Sequence, residues 1–260
     1  MNLNGVIIFI YTTSLRSSYA REISKIFKCY DVEHYFVYHK SDKIIRVEPF
    51  LEFSDSEVYE NISLKTFNCL NFFIKTNKNI FIKINDDCFL DINKLKKLDI
   101  EDCNYIGGMI DKTNTREEEY NNKIHYYKLR DNKKCFPKKL NKIKYMEGSL
   151  VILTRELVVH LLNNYTKKDF TNCLETFIGE DERIGLFVST YQNLKIKNLK
   201  MLADINMDIT NEFLSIHPLH FLFFKKIHSI LDSEKLPYLQ KINIFNDYTL
   251  KEHFFSKLKY

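Results

Sequence analysis

The chain has 260 residues, 39 Lys and Arg against 34 Asp and Glu, a formal net charge of +5 and 45% hydrophobic content. Six Gly and four Pro are too few for a linker-rich or disordered chain, and the length suits one α/β domain with a substantial core. The basic excess is small and interspersed with acids, without a Lys/Arg cluster carrying interleaved aromatics, which argues against a nucleic-acid groove.

Six cysteines, at 29, 69, 88, 103, 135 and 173, form no C-x-x-C pair and no zinc spacing, and read as buried thiols. The apolar start, Val6 to Tyr11, is far shorter than the roughly 20 residues that span a bilayer. It also lacks a basic leader and a cleavage site. These features predict a soluble, cytoplasmic protein with no membrane span and leave the oligomeric state open.

In chain order, Gly5 to Tyr11 reads as a strand. Thr12 to Ser18 is a polar loop feeding a helix from about Tyr19 to Phe27, and a second strand runs from His34 to Tyr38. Ser54-Asp-Ser-Glu57 has the pattern of a helix start, a capping serine with glutamate three residues on, and predicts a helix to about Lys75. Asn79 to Ile84 is a short β-branched and aromatic run that reads as a buried strand. It ends in Asn85-Asp86-Asp87, after which Asp91 is placed to cap a helix over Ile92 to Leu98.

A strand from Asn104 to Ile106 is expected to close at Gly107-Gly108. Asp111 to Lys134 is charged and reads as a long loop with a possible strand at Ile124 to Leu129, of the kind that serves as a lid. A buried strand at Gly148 to Leu153, a helix from the Thr154 cap to Asn163, a helix from Glu180 to Tyr191, a short strand at Lys195 to Leu199 and an apolar helix at Pro218 to Leu231 complete the pattern. The mixture predicts one α/β domain over 1–260, a Rossmann-like mixed sheet flanked by helices, with a nucleotide-binding half at 1–110 and an acceptor half at 111–260.

Successive side chains of a strand point to opposite faces, so Asp86 and Asp87 cannot both lie on the core, and the chain must turn there. This puts an acidic pair at the carboxyl end of a strand, where open α/β sheets bind ligands. Carboxylate oxygens in that place suit Mn²⁺ or Mg²⁺ bridging to phosphates. Taken alone, such a stretch is more often a solvated turn.

The ordered set of motifs resembles the β-1,3-glycosyltransferases of the galactosyltransferase and Fringe family, which have the GT-A fold. Arg16 and Arg21 fall where that family has an Arg-rich helix. Tyr59-Glu-Asn61 and Leu64-Lys-Thr66 match its Y-x-N-L-x-x-K-T segment. Lys83-Ile-Asn-Asp-Asp-Cys-Phe89 matches K-x-D-D-D-x-F, Tyr145-Met-Glu-Gly148 matches part of its Y-x-x-G segment, and Glu180-Asp-Glu-Arg-Ile-Gly185 matches E-D-V-x-x-G.

The resemblance implies transfer of a hexose or N-acetylhexosamine from a UDP-sugar to a glycan or protein-linked sugar, by inversion and through a 1,3 linkage. It implies Asp87 as principal metal ligand with Asn85 and His217, His220 being the reserve, and Asp86 beside the donor. Asp181 is implied as the base, at a helix start that favours its ionised form. Thr12, Arg21 and Lys65 are placed to meet the nucleotide, and the two cations are equally suited to be surface charges. Tyr145, Glu147, Gly148 and Glu180 are placed near the acceptor, Gly148 permitting close backbone approach.

Two departures stand out. Asn85 replaces the first Asp of the triple and removes one negative charge, and Lys142-Ile143 replaces the usual Tyr-Pro. Both support an alternative from another class, a catalytically inactive GT-A-like module that binds glycan or protein.

Overall fold

The computed structural model describes residues 1–13, 17–28, 30–40, 46–56, 61–86, 88–111, 136–137, 143–171, 176–199, 201–202 and 215–216. Strand β1 (Val6–Tyr11) is buried along its whole length, as a continuous apolar run requires when both faces of a sheet are covered. It is followed by α1 (Ser17–Lys28), β2 (Glu33–Lys40), β3 (Phe50–Ser56) and α2 (Ile62–Ile74). Next come β4 (Ile80–Asn85), β5 (Phe89–Leu90), α3 (Ile92–Lys97), β6 (Tyr105–Asp111), β7 (Phe136–Pro137) and β8 (Lys144–Thr154). The remaining elements are α4 (Arg155–Asn164), α5 (Lys167–Phe170), β9 (Thr176–Phe177), α6 (Glu180–Val188), β10 (Ile196–Asn198), β11 (Met201–Leu202) and β12 (Ser215–Ile216).

Seven strands form one sheet in the order β10-β6-β8-β4-β1-β2-β3. Strand β8 runs antiparallel to both of its neighbours, and the other pairs are parallel. Alternation along the strands sorts the core into two layers. Ile8, Ile10, Ile82 and Ile84 pack with Ala20, Ile23 and Phe27 of α1 and with Ile92 and Leu95 of α3. Ile7, Phe9 and Phe81 face the other way, onto α2 (Leu64, Leu70, Phe73), α4 (Leu157, Leu161) and α6 (Ile184, Phe187). This is the expected mixed sheet flanked by helices. Among the described residues, no helix is long and apolar enough to cross a membrane.

Several expectations hold at the level of single residues. Asp91 caps α3, its Oδ1 accepting from the Lys94 amide at 3.0 Å. Cys69 and Cys88 are buried free thiols. Others are corrected. Ser54 to Ser56 do not start a helix but end β3, which pairs in parallel with β2 from Phe36↔Phe50 onward. Pairing across the sheet overrides the local capping pattern there, and Asp55 instead accepts from Asn68 Nδ2 and Lys167 Nζ, each at 2.9 Å.

Strand β6 does not stop at Gly107-Gly108; it runs on to Asp111, with a register irregularity between Gly107 and Met109. A Cβ at Gly107 would lie 2.8 Å from the Leu150 carbonyl oxygen, so the glycine marks close packing on β8 and not a turn. Strand β8 likewise begins at Lys144, ahead of the expected Gly148. The loop at 112–134 with its possible strand, and the helix at 218–231, lie outside the described residues.

Helix α6 sits on β8 at a gap only a glycine allows. A Cβ on Gly185 would collide with Tyr145 Cβ and stand 3.0 Å from the Lys144 carbonyl oxygen, neither of which can swing away. Gly185→Ala should therefore cost about 1–3 kcal/mol by urea unfolding, the usual cost of overpacking. Gly5→Ala is the control, because its nearest side-chain atom would be 3.8 Å away. Equal midpoints for the two variants would show that α6 is not seated this closely.

Candidate active site

The site begins where β1 and β4 end together. Tyr11 pairs with Asn85, and the Asp86 amide donates to the Tyr11 carbonyl at 3.0 Å, carrying the parallel ladder one residue past the strand. The Cys88 amide then donates to the Asn85 carbonyl at 3.1 Å, closing the expected turn. Asp86 is fully buried at this corner. On the other side of β4, Ile84 pairs antiparallel with Leu150. Strand β8 runs on past Leu150 through Ser149 and Gly148, and the Cys88 thiol reaches the Ser149 carbonyl at 3.3 Å.

Beneath the corner lies a buried polar network. Lys83 interrupts the apolar strand β4 on the face that meets α2 and α6, and only 4% of its side chain is exposed. A charge in that position must be paired or it destabilises the fold. Its Nζ donates to Glu180 Oε2 at 2.9 Å and to the Gly148 carbonyl, and it lies 5.0 Å from the centre of the Tyr11 ring. Glu180 Oε1 accepts from Thr66 Oγ1 at 2.7 Å, and Thr66 in turn accepts from the Tyr11 hydroxyl at 2.8 Å.

Five elements, β1, α2, β4, β8 and α6, are joined by these contacts. Burial, and after it the nearby Cys69 and Glu180, pushes the Tyr11 pKa well above its usual value, so the hydroxyl keeps its proton and acts as donor. Burial also pushes up the Cys69 thiol, which is therefore no nucleophile. Removing one partner of a buried ion pair costs about 3–5 kcal/mol, so Lys83 and Glu180 depend on each other.

Asp181 comes next in the first turn of α6, beside this network. A Cβ on Gly148 would be 3.3 Å from Lys83 Nζ, 3.4 Å from Asp181 Cβ and 3.5 Å from Asp181 Oδ2. Gly148 is thus the point of β8 at which Lys83 and Asp181 meet. Asp181 Oδ1 also accepts from the Glu182 amide at 2.9 Å.

The structure brings Thr12, Lys65, Asn85, Asp86, Gly148, Glu180 and Asp181 to one end of the sheet. Thr12 is buried, and Lys65, itself only 4% exposed, donates from Nζ to the Thr12 carbonyl at 2.9 Å. Lys65 therefore anchors the backbone at Thr12, just past β1. Glu180 is engaged by Lys83 and Thr66 at both oxygens. Tyr145 is buried against α6 and Glu147 is half-buried. Arg21 is exposed on α1.

Asp87 and His217 lie outside the described residues. Ile216, the residue before His217, pairs with Phe89, two residues after Asp87. Sequence reasoning missed the partnership of Lys83, Glu180, Thr66 and Tyr11. Its available signal was a lysine within Ile80-Phe-Ile-Lys-Ile84, since a charge inside a buried strand demands a counter-charge elsewhere.

The donors that the described residues offer at the corner, the Asn85 amide and the Asp86 carboxylate, are hard oxygens of the kind Mn²⁺ or Mg²⁺ takes. No three His, Cys, Asp or Glu among the described residues converge on a metal-sized site. The oxygen donors fit such an ion, and the fuller set implied by the sequence adds Asp87 and His217.

An α/β protein with an acidic corner at the carboxyl ends of β1 and β4, and a helix-start aspartate against the facing strand, is the class that fold and site define. The profile of the Galactosyltransferase family matches residues 46–185, over half of the chain and every described part of the corner after Thr12. The chain belongs to the Galactosyltransferase family and is a glycosyltransferase by that membership.

A search of curated proteins finds no match. Among solved structures the chain is similar to galactosyltransferase LgtC in complex with donor and acceptor sugar analogs, with 11% identity over 89% of this chain and 98% of that one and a TM-score of 0.46. An active-site mutant of LgtC gives 11%, 89%, 98% and 0.45, and A197 from STIV gives 12%, 74%, 81% and 0.35. None of these likenesses bears on individual residues of the site.

The raised Tyr11 pKa makes stability depend on pH. Above pH 10.0, its ordinary value, the unfolded chain loses this proton while the folded chain keeps it. The group's contribution is therefore fully present below that pH and falls as pH rises past it. Tyr11→Phe should lose stability less steeply across that window in urea unfolding; identical slopes would show that Tyr11 titrates normally.

Proposed function

We propose that the protein is a metal-dependent, inverting glycosyltransferase that moves a hexose or N-acetylhexosamine from a UDP-sugar to a sugar hydroxyl of a glycan or glycoprotein, forming a β-1,3 linkage. The observation that supports the proposal is that Asp181 stands against Gly148 of β8, the strand that pairs with the β4 strand ending at the acidic corner, within the span matched by the family.

Asp87 would hold Mn²⁺ or Mg²⁺, with Asn85, Asp86 and His217 beside it. When bound, the ion supplies Lewis-acid neutralisation of the departing diphosphate. Thr12, whose carbonyl Lys65 holds, would meet the nucleotide, with Arg21 as a phosphate partner. Glu147 and Gly148 border the acceptor position, and Tyr145 supports it from the buried side.

Asp181 takes the proton of the acceptor hydroxyl as that oxygen forms its bond to C1 from the face opposite the diphosphate. The C1–O bond to phosphate breaks, its electron pair leaves with UDP, and the anomeric centre inverts. Protonated Asp181 then returns the proton to water.

Asp87→Ala should abolish Mn²⁺-dependent binding of UDP in calorimetry, and full retention would displace the metal site from this corner. Asp181→Asn should preserve UDP affinity while lowering transfer by roughly 10²–10⁴-fold, the usual worth of a general base. Transfer that survives this change would require another base. Absence of both turnover of any common UDP-sugar and a metal-dependent thermal shift in the unaltered protein would favour the silent binding module that Asn85 suggests.

A further inference from the structure

We propose that Lys83 and Glu180 are positioning residues that set the rotation of α6, and through it the direction of Asp181. The inference rests on the reading of Asp181 as the base. Consecutive residues of a helix point about 100° apart, so fixing one first-turn side chain fixes the next. Glu180 is fixed at both oxygens, by Lys83 Nζ at 2.9 Å and Thr66 Oγ1 at 2.7 Å. Asp181 is thereby sent to the Gly148 side, where the absent side chain leaves it room.

Lys83 grips that same residue by its carbonyl oxygen. One ammonium group therefore locks both the helix that carries Asp181 and the strand against which Asp181 rests. Apolar side chains of similar size would hold α6 to the sheet at least as firmly, since a buried ion pair seldom adds net stability over such a replacement. What the pair provides is a fixed direction. Ile184 and Phe187 seat the helix on the core and Gly185 sets it close on β8, while the two hydrogen bonds fix the side chain next to Asp181 in direction.

The test uses the full chain with Mn²⁺ and whichever of UDP-galactose, UDP-glucose and UDP-N-acetylglucosamine it turns over, read as UDP release. Glu180→Gln and the charge-free pair Lys83→Met/Glu180→Gln should each lower kcat by about 10²-fold while leaving the donor KM within about threefold, the signature of misdirected chemistry rather than lost binding. In an Asp181→Asn background the same changes should cause no further loss, because they act through Asp181. Thermal unfolding checks the fold, and if the pair fails to fold, Glu180→Gln and Thr66→Val decide.

An unchanged kcat in Glu180→Gln, a rise in donor KM that accounts for the loss, or further loss in the Asp181→Asn background would overturn the inference. If Asp181→Asn is inactive while Glu180→Gln is not, the inference alone fails. If Asp181→Asn retains transfer, or no donor is turned over, the base reading fails and takes the inference with it.

Discussion

A lysine in the middle of an otherwise apolar strand is the constraint on which the site depends. Lys83 is almost wholly withdrawn from water, so its charge has to be answered inside the protein, and the answer comes from Glu180 at the start of α6. Once that pair forms, the remaining acceptor positions of Glu180 draw in Thr66 from α2 and, through it, Tyr11 from β1. The Gly148 carbonyl closes the set from β8. A hydrophobic core would have held these five elements together without deciding how they face one another.

The site that results separates two carboxylates by environment. Asp86 is sealed at the end of β4, in line with the parallel ladder. Asp181 stands in the first turn of α6 and rests on a glycine. Glu180, adjacent in sequence and identical in charge to Asp181, is committed to the interior. Thus three acids contributed by two short motifs take different parts because their surroundings differ.

Much of the frame was legible because it is local. The continuous apolar run of β1, the apolar residues of β4 on either side of Lys83, the Asp91 cap and the acidic stretch ending β4 are written in adjacent residues. What escaped was non-local. Strand β3 exists because it pairs with β2, and nothing within Ser54-Asp-Ser-Glu57 announces a partner across the sheet. Gly107 punctuates a turn by composition, yet it serves close packing against Leu150. The turn that ends β4 was legible in the motif Lys83 to Phe89, but the buried face of that motif was not, because Glu180 lies 97 residues away.

That separation also shapes how the chain can assemble. Strands β1, β2 and β4 with α1 and α2 are complete well before the ribosome has made α6, so a nascent chain holds Lys83 with no counter-charge. The cationic end must stay hydrated until the later half arrives, which makes the face of the sheet around it the last to dry. The end of β4 that carries Asp86 can thus take shape ahead of the helix that carries Asp181, and the closing of this corner becomes a late event in the life of the polypeptide.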